Sequence, residues 1–334
     1  MGENVSSEAD RGMGESTRFD WIDRSLISLC VGSLAIVVAA GLVQVSFGSY
    51  SMSVGQAWQS VVDTTVILDH RWLLNFLLGE ELMRSVTGFQ GELPELSTET
   101  LIVWNIRLPR VFVAMLVGTN LAVSGAIFQA VTRNELASPF ILGVSSGAGL
   151  LILLTLVVFP MLAAALPLIA AAGGMAAFIL VYLIAWKGGT SPVRLVLAGV
   201  IVGTVFQSLQ TGLFFFADDI GVVQSAIAWT TGSLTGTDWE QVRTALPWTI
   251  VAMGLALVGA RQLNVLLLGE RTASSLGMNV ERMRFALSAV GVLAAAASIA
   301  VAGIVGFVGL IVPHVVRNVV GSDYRRLVVG CVFA

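Results

Sequence analysis

From Leu136 to Trp186 the chain reads LASPFILGVSSGAGLLILLTLVVFPMLAAALPLIAAAGGMAAFILVYLIAW, and no side chain in this stretch is charged. A helix needs about 20 apolar residues to cross a bilayer, and it must bond all of its own backbone polar groups there. The stretch is long enough for two crossings, and Pro160 and Pro167 mark the turn between them. It therefore predicts an all-α membrane protein.

Other apolar segments recur along the chain. The segments predicted to cross are Leu26–Phe47, Val111–Thr132, Leu195–Ala217, Thr244–Ala260 and Phe285–Val316. The last is too long for one helix, so we expect it to form a seventh span and a shorter eighth. A ninth begins at Leu327, and the residues that follow would reach only about 12 Å as a helix. We therefore expect the fold class to be a polytopic transmembrane helical bundle of about eight spans plus the start of a ninth, and we expect C-terminal spans to be missing from this sequence.

Composition supports a membrane location and excludes several classes of function. The 334 residues are 56% hydrophobic and 12% charged, whereas soluble proteins carry about 25% charged residues. A net charge of −3 gives no indication of a nucleic-acid partner. Cys30 and Cys331 both lie in apolar runs, where packing against lipid or helices is expected rather than a disulfide.

The basic residues predict the orientation of the spans. If the N-terminus is cytoplasmic, most of the 18 Lys and Arg residues fall on the cytoplasmic side, as the positive-inside rule requires. The basic residues left outside are Arg71, Arg84, Arg107, Arg110 and Arg243. We therefore predict a disordered cytoplasmic tail over 1–24 and a permease domain over 25–334. Within that domain, 48–104 is a long extracytoplasmic segment and 261–284 a cytoplasmic loop.

Motifs for catalysis are absent from the sequence. It contains no GxxxxGK[ST] loop, no GxGxxG motif and no HExxH motif. The two histidines, His70 and His314, have no cysteine near them, so we expect neither a metal site nor a cofactor. No ionisable residue lies in the middle of a predicted span, which disfavours a proton- or sodium-driven carrier. The sequence predicts a pore that is powered from outside the bilayer, and not an enzyme.

Two arginines precede the second span, in Trp104–Arg110, WNIRLPR. One interpretation is interfacial anchoring, with Arg107 and Arg110 extending to lipid phosphates. The other is a docking point for acidic groups of an extracytoplasmic protein.

The loop between the sixth and seventh spans contains Asn264–Gly277, NVLLLGERTASSLG. Its apolar patches are too short to cross the bilayer, and Gly269 and Gly277 divide it into two short helices. These helices either lie at the membrane surface or form a knob that inserts into a cytoplasmic partner.

Glycines recur at every third position near the end of the chain, at Gly303, Gly306 and Gly309. They would let a helix face approach its neighbour closely, or let the chain turn within the membrane. Pro313 is expected to start or kink the short helix that follows. A lone His314 there is expected to be a structural donor rather than a ligand.

Three stretches resemble the signature of the FecCD family of ABC-transporter permeases, which import iron–siderophores, haem or vitamin B12. They are IRLPR…GTNLAVSGAIFQAVTRNELASPFILGVSSGAG (Ile106–Gly149), LNVLLLGERTASSLGMNV (Leu263–Val280) and GFVGLIVPHVVRNVVGSDYRRL (Gly306–Leu327). The resemblance runs from Leu101 to the C-terminus, and the segment before it, Gly48–Thr100, shows none.

The resemblance implies a type II importer: a homodimer of ten-span subunits in the cell membrane, gripped by two cytoplasmic ABC ATPases and served by an extracytoplasmic binding protein. It implies that the ATPase grip falls on the following residues: Leu268, Gly269, Glu270, Ala273, Leu276 and Gly277. It also implies that Arg107 and Arg110 meet acidic residues of the binding protein. We expect an iron(III)–siderophore-type chelate as cargo, with cobalamin or haem as alternatives and an ion-driven secondary transporter as the rival class. The expected partners are these proteins and membrane lipid, with no nucleic acid.

Overall fold

A computed structural model describes residues 21–48, 50–89, 91, 93–217 and 220–334. Residues 1–20 of the predicted tail over 1–24 lie outside the described residues. The described residues form helices and no strands. The α-helices are α1 Arg24–Ser46, α2 Val54–Val61, α3 Thr64–Ile67, α4 His70–Leu78, α5 Glu80–Thr87, α6 Thr98–Ile102, α7 Leu108–Thr132, α8 Val144–Val158, α9 Leu166–Ala185, α10 Pro192–Phe214, α11 Ile220–Thr231, α12 Trp239–Leu267, α13 Glu270–Ser275, α14 Val280–Ala302, α15 Val308–Val320 and α16 Tyr324–Phe333.

Six helical stretches in the described part of the chain are long and apolar enough to cross a membrane. They are Arg24–Ser46, Thr98–Thr132, Pro160–Ala185, Pro192–Phe214, Trp239–Leu267 and Val280–Ala302, and Val144–Val158 and Val308–Val320 are shorter apolar helices. Together these eight match the eight predicted spans in number and order. The turn predicted at Pro160 and Pro167 is a 3-10 helix, Pro160–Ala165, that leads directly into α9.

The centre of the bundle is formed by α7 and α14. Of the residues in the apolar 18-residue stretch of α14, 72% are buried, compared with 6% in that of α1. Helix α7 packs against α12, α14, α15 and α16. Small residues permit this close packing: Ser124 in α7, for example, donates a hydrogen bond to the carbonyl oxygen of Gly291 in α14 at 2.6 Å. Helix α1 therefore lies at the periphery.

A wide turn joins α6 to α7, so that residues 98–132 form one continuous helical stretch. The turn, Val103–Arg107, is a π-helix in which the Leu108 N–H bonds to the Val103 carbonyl. Pro109 follows at the start of α7, and its ring would clash with the carbonyl four residues earlier in a regular α-helix. The extra residue in the turn relieves this clash and rotates Trp104 and Arg107 into the protein.

The segment predicted to be extracytoplasmic, 48–104, is largely helical. Helices α2 to α6 lie within it, and their ends are capped by Ser53, Asp63, Asp69 and Ser97. Phe76 of α4 stacks on Trp104 and Trp239 with ring centroids 5.3 and 5.5 Å apart. These aromatic contacts fix the segment against the first turn of α12.

Residues 303–307 interrupt the helical structure between α14 and α15, as the glycine pattern predicts. Gly303 has φ +70°, and a Cβ atom there would lie 2.4 Å from the Trp229 carbonyl oxygen of α11. The Ile304 N–H donates to that same carbonyl at 3.0 Å. Helix α11 is a second feature that the sequence analysis missed, because its 12 residues are too few to cross a membrane.

The glycines of this region do not share one role. A Cβ atom on Gly125 of α7 would lie 1.7 Å from the Gly309 carbonyl oxygen, so the two backbones are in direct contact. Pro313 lies inside α15 and does not start it, and its missing N–H leaves that Gly309 carbonyl without its usual helical donor. Gly306 differs from the prediction, since a Cβ atom there would meet nothing within 4 Å.

Candidate functional site

The short helix α13 stands between two glycines at one end of the bundle. Gly269 and Gly277 have φ of +103° and +82°, a region that only glycine adopts readily. Leu268 and Leu276 are 58% and 64% exposed on either side of the helix, whereas Ala273 is fully buried against the bundle. The structure thus brings all six residues of the predicted grip, 268–270, 273, 276 and 277, into one projecting turn.

The predicted loop over 261–284 is smaller than the sequence indicates. Asn264–Leu267 forms the end of α12 and α14 begins at Val280, so the connection is 268–279 with the single helix α13 inside it. The prediction of two short helices is therefore wrong. Val265, Leu266 and Leu267 still belong to α12, because the first break comes only at Gly269.

Polar groups join the end of α12, just before this connection, to the start of α16. The Asn264 amide donates to Asp323 at 2.7 Å, and its carbonyl oxygen accepts the Tyr324 N–H at 2.9 Å. Burial alone would raise the pKa of the Asp323 carboxyl, but hydrogen bonds from Arg325 and Asn264 outweigh it and lower that pKa to about 2. Asp323 is therefore a carboxylate that fixes the start of α16 to the end of α12.

The structure separates the two predicted docking arginines. Arg107 is only 4% exposed, and its Nη1 and Nη2 donate to the carbonyl oxygens of Val45 and Tyr50 at 2.6 and 2.7 Å. Contrary to the prediction, this guanidinium is buried within the chain, where carbonyls in the last turn of α1 and just after it accept its hydrogen bonds.

Arg110, one turn later, is half-buried and lines a cavity of about 570 Å³ between α1, α7 and the last residues of the chain. Of the two arginines, it is the one whose side chain borders an open volume.

A polar face on α10 was not identified from the sequence. Thr204, Gln207, Ser208 and Thr211 are exposed and follow one another at helical spacing in the middle of an apolar helix. We call these four residues the α10 polar stripe. They line a groove of about 440 Å³ with Ser145, at the start of α8. Three hydroxyls donate to carbonyls of their own helix, so their oxygens remain available as acceptors. The i, i+3, i+4, i+7 spacing would have revealed this face.

Over the residues that the structure describes, no group of His, Cys, Asp or Glu side chains is arranged to hold a metal ion. The site is thus a set of surfaces: a projecting helix at one end, an arginine-lined cavity, and a polar groove in the middle of a span.

Residues 34–334 match the FecCD transport family. The chain belongs to this family. The match begins well before Leu101, so it includes the 48–104 segment, in which sequence motifs alone show no resemblance.

Relatives within the FecCD family are permeases of import systems. The chain is 42% identical to the Fe(3+)-citrate import system permease protein YfmD of Bacillus subtilis over 69% of this chain and 68% of that protein. It is 37% identical to the iron(3+)-hydroxamate import system permease protein FhuG of the same organism, over 69% and 70%. It is 38% identical to the vitamin B12 import system permease protein BtuC of Vibrio cholerae, again over 69% and 70%.

A solved structure shares the fold of this FecCD protein. It is an inward-facing conformation of a metal-chelate type ABC transporter, and it matches 92% of this chain and 86% of its own with a TM-score of 0.73 and 25% identity. The predicted class is confirmed: the chain is a multi-pass membrane permease of the ABC-importer type and not an enzyme.

Proposed function

We propose that this permease moves an iron(III) chelate of the siderophore type into the cytoplasm, driven by a separate ABC ATPase. The observation that carries the proposal is α13, which projects from the bundle with exposed leucines at both ends. An exposed apolar turn held between two glycines suits insertion into a cleft of a motor protein better than contact with water.

Helix α13 is the proposed ATPase grip, and the N-terminus lies on the same, cytoplasmic side. Nucleotide can move the permease only if it binds one arrangement of the assembly more tightly than another. Closure of two ATPase subunits would pull on α13 and tilt the helices attached to it. The buried Ala273 and exposed Leu268 and Leu276 give α13 one face for the bundle and one for the motor.

The passage is proposed to follow the α10 polar stripe. Polar side chains in the middle of a spanning helix avoid lipid and face either protein or a water-filled space. Only 22% of the residues in the apolar 18-residue stretch of α10 are buried, so a second copy of the chain is needed to enclose this face. A homodimer with the two stripes facing each other would form a passage of hydroxyl and amide groups, which bind a bulky chelate weakly enough to release it.

Arg110 is the proposed contact for an extracytoplasmic binding protein. Arg107 is set aside because its guanidinium is bonded to main-chain carbonyls. Reversing the charge with Arg110→Glu should weaken capture of the binding protein, and the loss should be larger at low salt because screening is weaker there. Unchanged capture would leave Arg110 as a lipid anchor.

The cargo is proposed from the relatives, of which two of the three named above carry iron(III) complexes. The alternatives are cobalamin, for which BtuC is the relevant relative, and haem. The test is uptake into proteoliposomes that contain the permease, its ATPase and its binding protein. We expect ATP-dependent uptake of labelled ferric citrate or a ferric hydroxamate. Uptake of cyanocobalamin instead would establish the alternative cargo, and uptake under an ion gradient without ATPase would overturn the importer proposal.

A further inference from the structure

A buried arginine lies directly behind α13, in the first turns of α14. The Arg284 side chain is 2% exposed, and its Nη2 donates to Glu270 of α13 at 2.7 Å. Its Nη1 donates to the main-chain carbonyl of Thr190, in the connection between α9 and α10. One guanidinium therefore bonds to α13 and to the α9–α10 connection, and it forms an ion pair with Glu281 of its own helix at 3.7 Å.

The α9–α10 connection, residues 186–191, is held at more than one atom. Glu281 of α14 accepts the Thr190 N–H at 2.8 Å and the Thr190 hydroxyl at 2.9 Å. The Tyr182 hydroxyl of α9 also donates to Glu281. The donors and acceptors of Thr190 are thus fixed to the first turn of α14, and the connection cannot move far without that turn.

Helix α13 has few other attachments. Among the described residues, Glu270 is the one side chain of α13 that bonds to another helix, and its carboxylate is 46% exposed. The turns on both sides of α13 are glycines, which offer little resistance to rotation. A pull on α13 would be absorbed in these turns unless a side chain transmits it.

The geometry points to Arg284 as a positioning residue that transmits movement of α13 to the α9–α10 connection. This inference rests on the proposed function, in which α13 is the part gripped by the ATPase. Through Glu270, Arg284 and Thr190, a displacement of α13 reaches the connection that leads into α10, which carries the polar stripe. A buried charged group is well suited to this role, because losing the acceptor of either terminal nitrogen leaves that nitrogen unpaired in a low-dielectric site.

The first test compares two arginines of the same helix and needs no partner protein. Arg284→Lys keeps the charge but loses the planar group that reaches two acceptors. Arg282→Lys is the matched control, because Arg282 lies two residues away and is exposed. In the full chain in nanodiscs, we expect hydrogen exchange to accelerate in both 186–191 and 269–277 for Arg284→Lys and in neither for Arg282→Lys. Exchange at 186–191 unchanged from wild type in Arg284→Lys would overturn the inference.

The second test separates transmission from simple attachment of the ATPase. It uses Arg284→Lys again, because Arg284 lies behind α13, outside the residues proposed for the ATPase grip, and the substitution keeps the buried charge. The probes are labelled ferric citrate, ferric hydroxamate and cyanocobalamin. We expect uptake per ATP hydrolysed to fall about fivefold, which is the size of loss expected when coupling between two sites is weakened. ATPase co-purification and ATP hydrolysis should stay at wild-type levels.

An unchanged uptake-to-hydrolysis ratio in Arg284→Lys would overturn the transmitting role, and so would a loss of ATPase binding, which would make Arg284 a residue that only holds the ATPase grip in place. Failure of the proposed function looks different, because the wild-type chain would then bind no ATPase and take up none of the three probes. In that case the hydrogen-exchange experiment would still test whether Arg284 holds α13 and the α9–α10 connection together.

Discussion

At the residue scale, Gly125 is the position where a single methyl group should have the largest effect. Its Cβ atom would overlap the Gly309 carbonyl oxygen at 1.7 Å, and that oxygen belongs to backbone that cannot rotate away. We expect Gly125→Ala to destabilise the protein by at least about 2 kcal/mol through overpacking. Gly118→Ala, in the same helix with nothing within 4 Å, should be neutral or stabilise by up to about 1 kcal/mol. Thermal unfolding in detergent measures both, and equal midpoints would contradict the contact.

Asp323 should make stability depend on acidity. Its folded pKa of about 2 lies below the ordinary value of 3.8, so its contribution is complete above pH 3.8 and is lost as the pH falls toward 2. Asp323→Asn should therefore cost about 1 kcal/mol near pH 6. The difference between the unfolding midpoints of wild type and variant should shrink between pH 4 and pH 2. A difference that does not change with pH would show that the carboxylate charge is unimportant there.

The two arginines of WNIRLPR show what a residue pattern leaves open. Their sequence context is the same, and both were predicted to face outward. The difference arises from Pro109 and the π-turn, which rotate Arg107 toward the end of α1. Val45 and Tyr50 accept its hydrogen bonds more than 50 residues away in sequence, so no local rule could have identified them.

At the scale of elements, the α10 polar stripe gives a matched pair of adjacent positions. Ser208 lines the groove, whereas Leu209 is 51% exposed on the apolar side of the same helix. Ser208→Trp should fill the passage and abolish uptake while the protein remains folded. Leu209→Trp should face lipid and leave uptake close to wild type. Proteoliposome uptake measures both, and equal effects would mean that the stripe does not line the passage.

Elements were predictable where they were long and apolar, and less so where they were short. Each of the eight spans was located by the absence of charge. Charged side chains are costly in hydrocarbon and therefore rare in membrane-spanning segments. Helices α2 to α5 and α11 escaped notice because each has 12 residues or fewer. Their stability comes from caps and from contacts such as Phe76 on Trp239, which are tertiary.

At the scale of the whole molecule, the hydropathy of the sequence predicted the fold, but it did not predict which polar residues would meet at the site. The glycines that bound α13 and its exposed leucines could be identified from sequence as a projecting turn. The Arg284 cluster could not, because Glu270, Thr190 and Glu281 come from three separate parts of the chain: α13, the α9–α10 connection and α14. Such a cluster forms only once α9, α10, α13 and α14 are packed together.

The orientation of the bundle is the property on which the importer proposal depends, and α12 provides the test. Its 29 residues extend about 43 Å as a helix, more than the thickness of a ~30 Å hydrocarbon core. Its two ends must therefore lie on opposite sides of the membrane. Glu240, in the first turn, and Ser274, just beyond the last turn, are both exposed and suit thiol labelling.

With Cys30 and Cys331 replaced by alanine, a membrane-impermeant maleimide should label Glu240→Cys in intact cells. It should label Ser274→Cys only after the membrane is opened, because α13 then faces the cytoplasm, where ATP is available. Labelling of both variants from outside would contradict the crossing of α12. Labelling of Ser274→Cys alone would place α13 away from any cytoplasmic motor, and an ATPase could not then drive this permease through it.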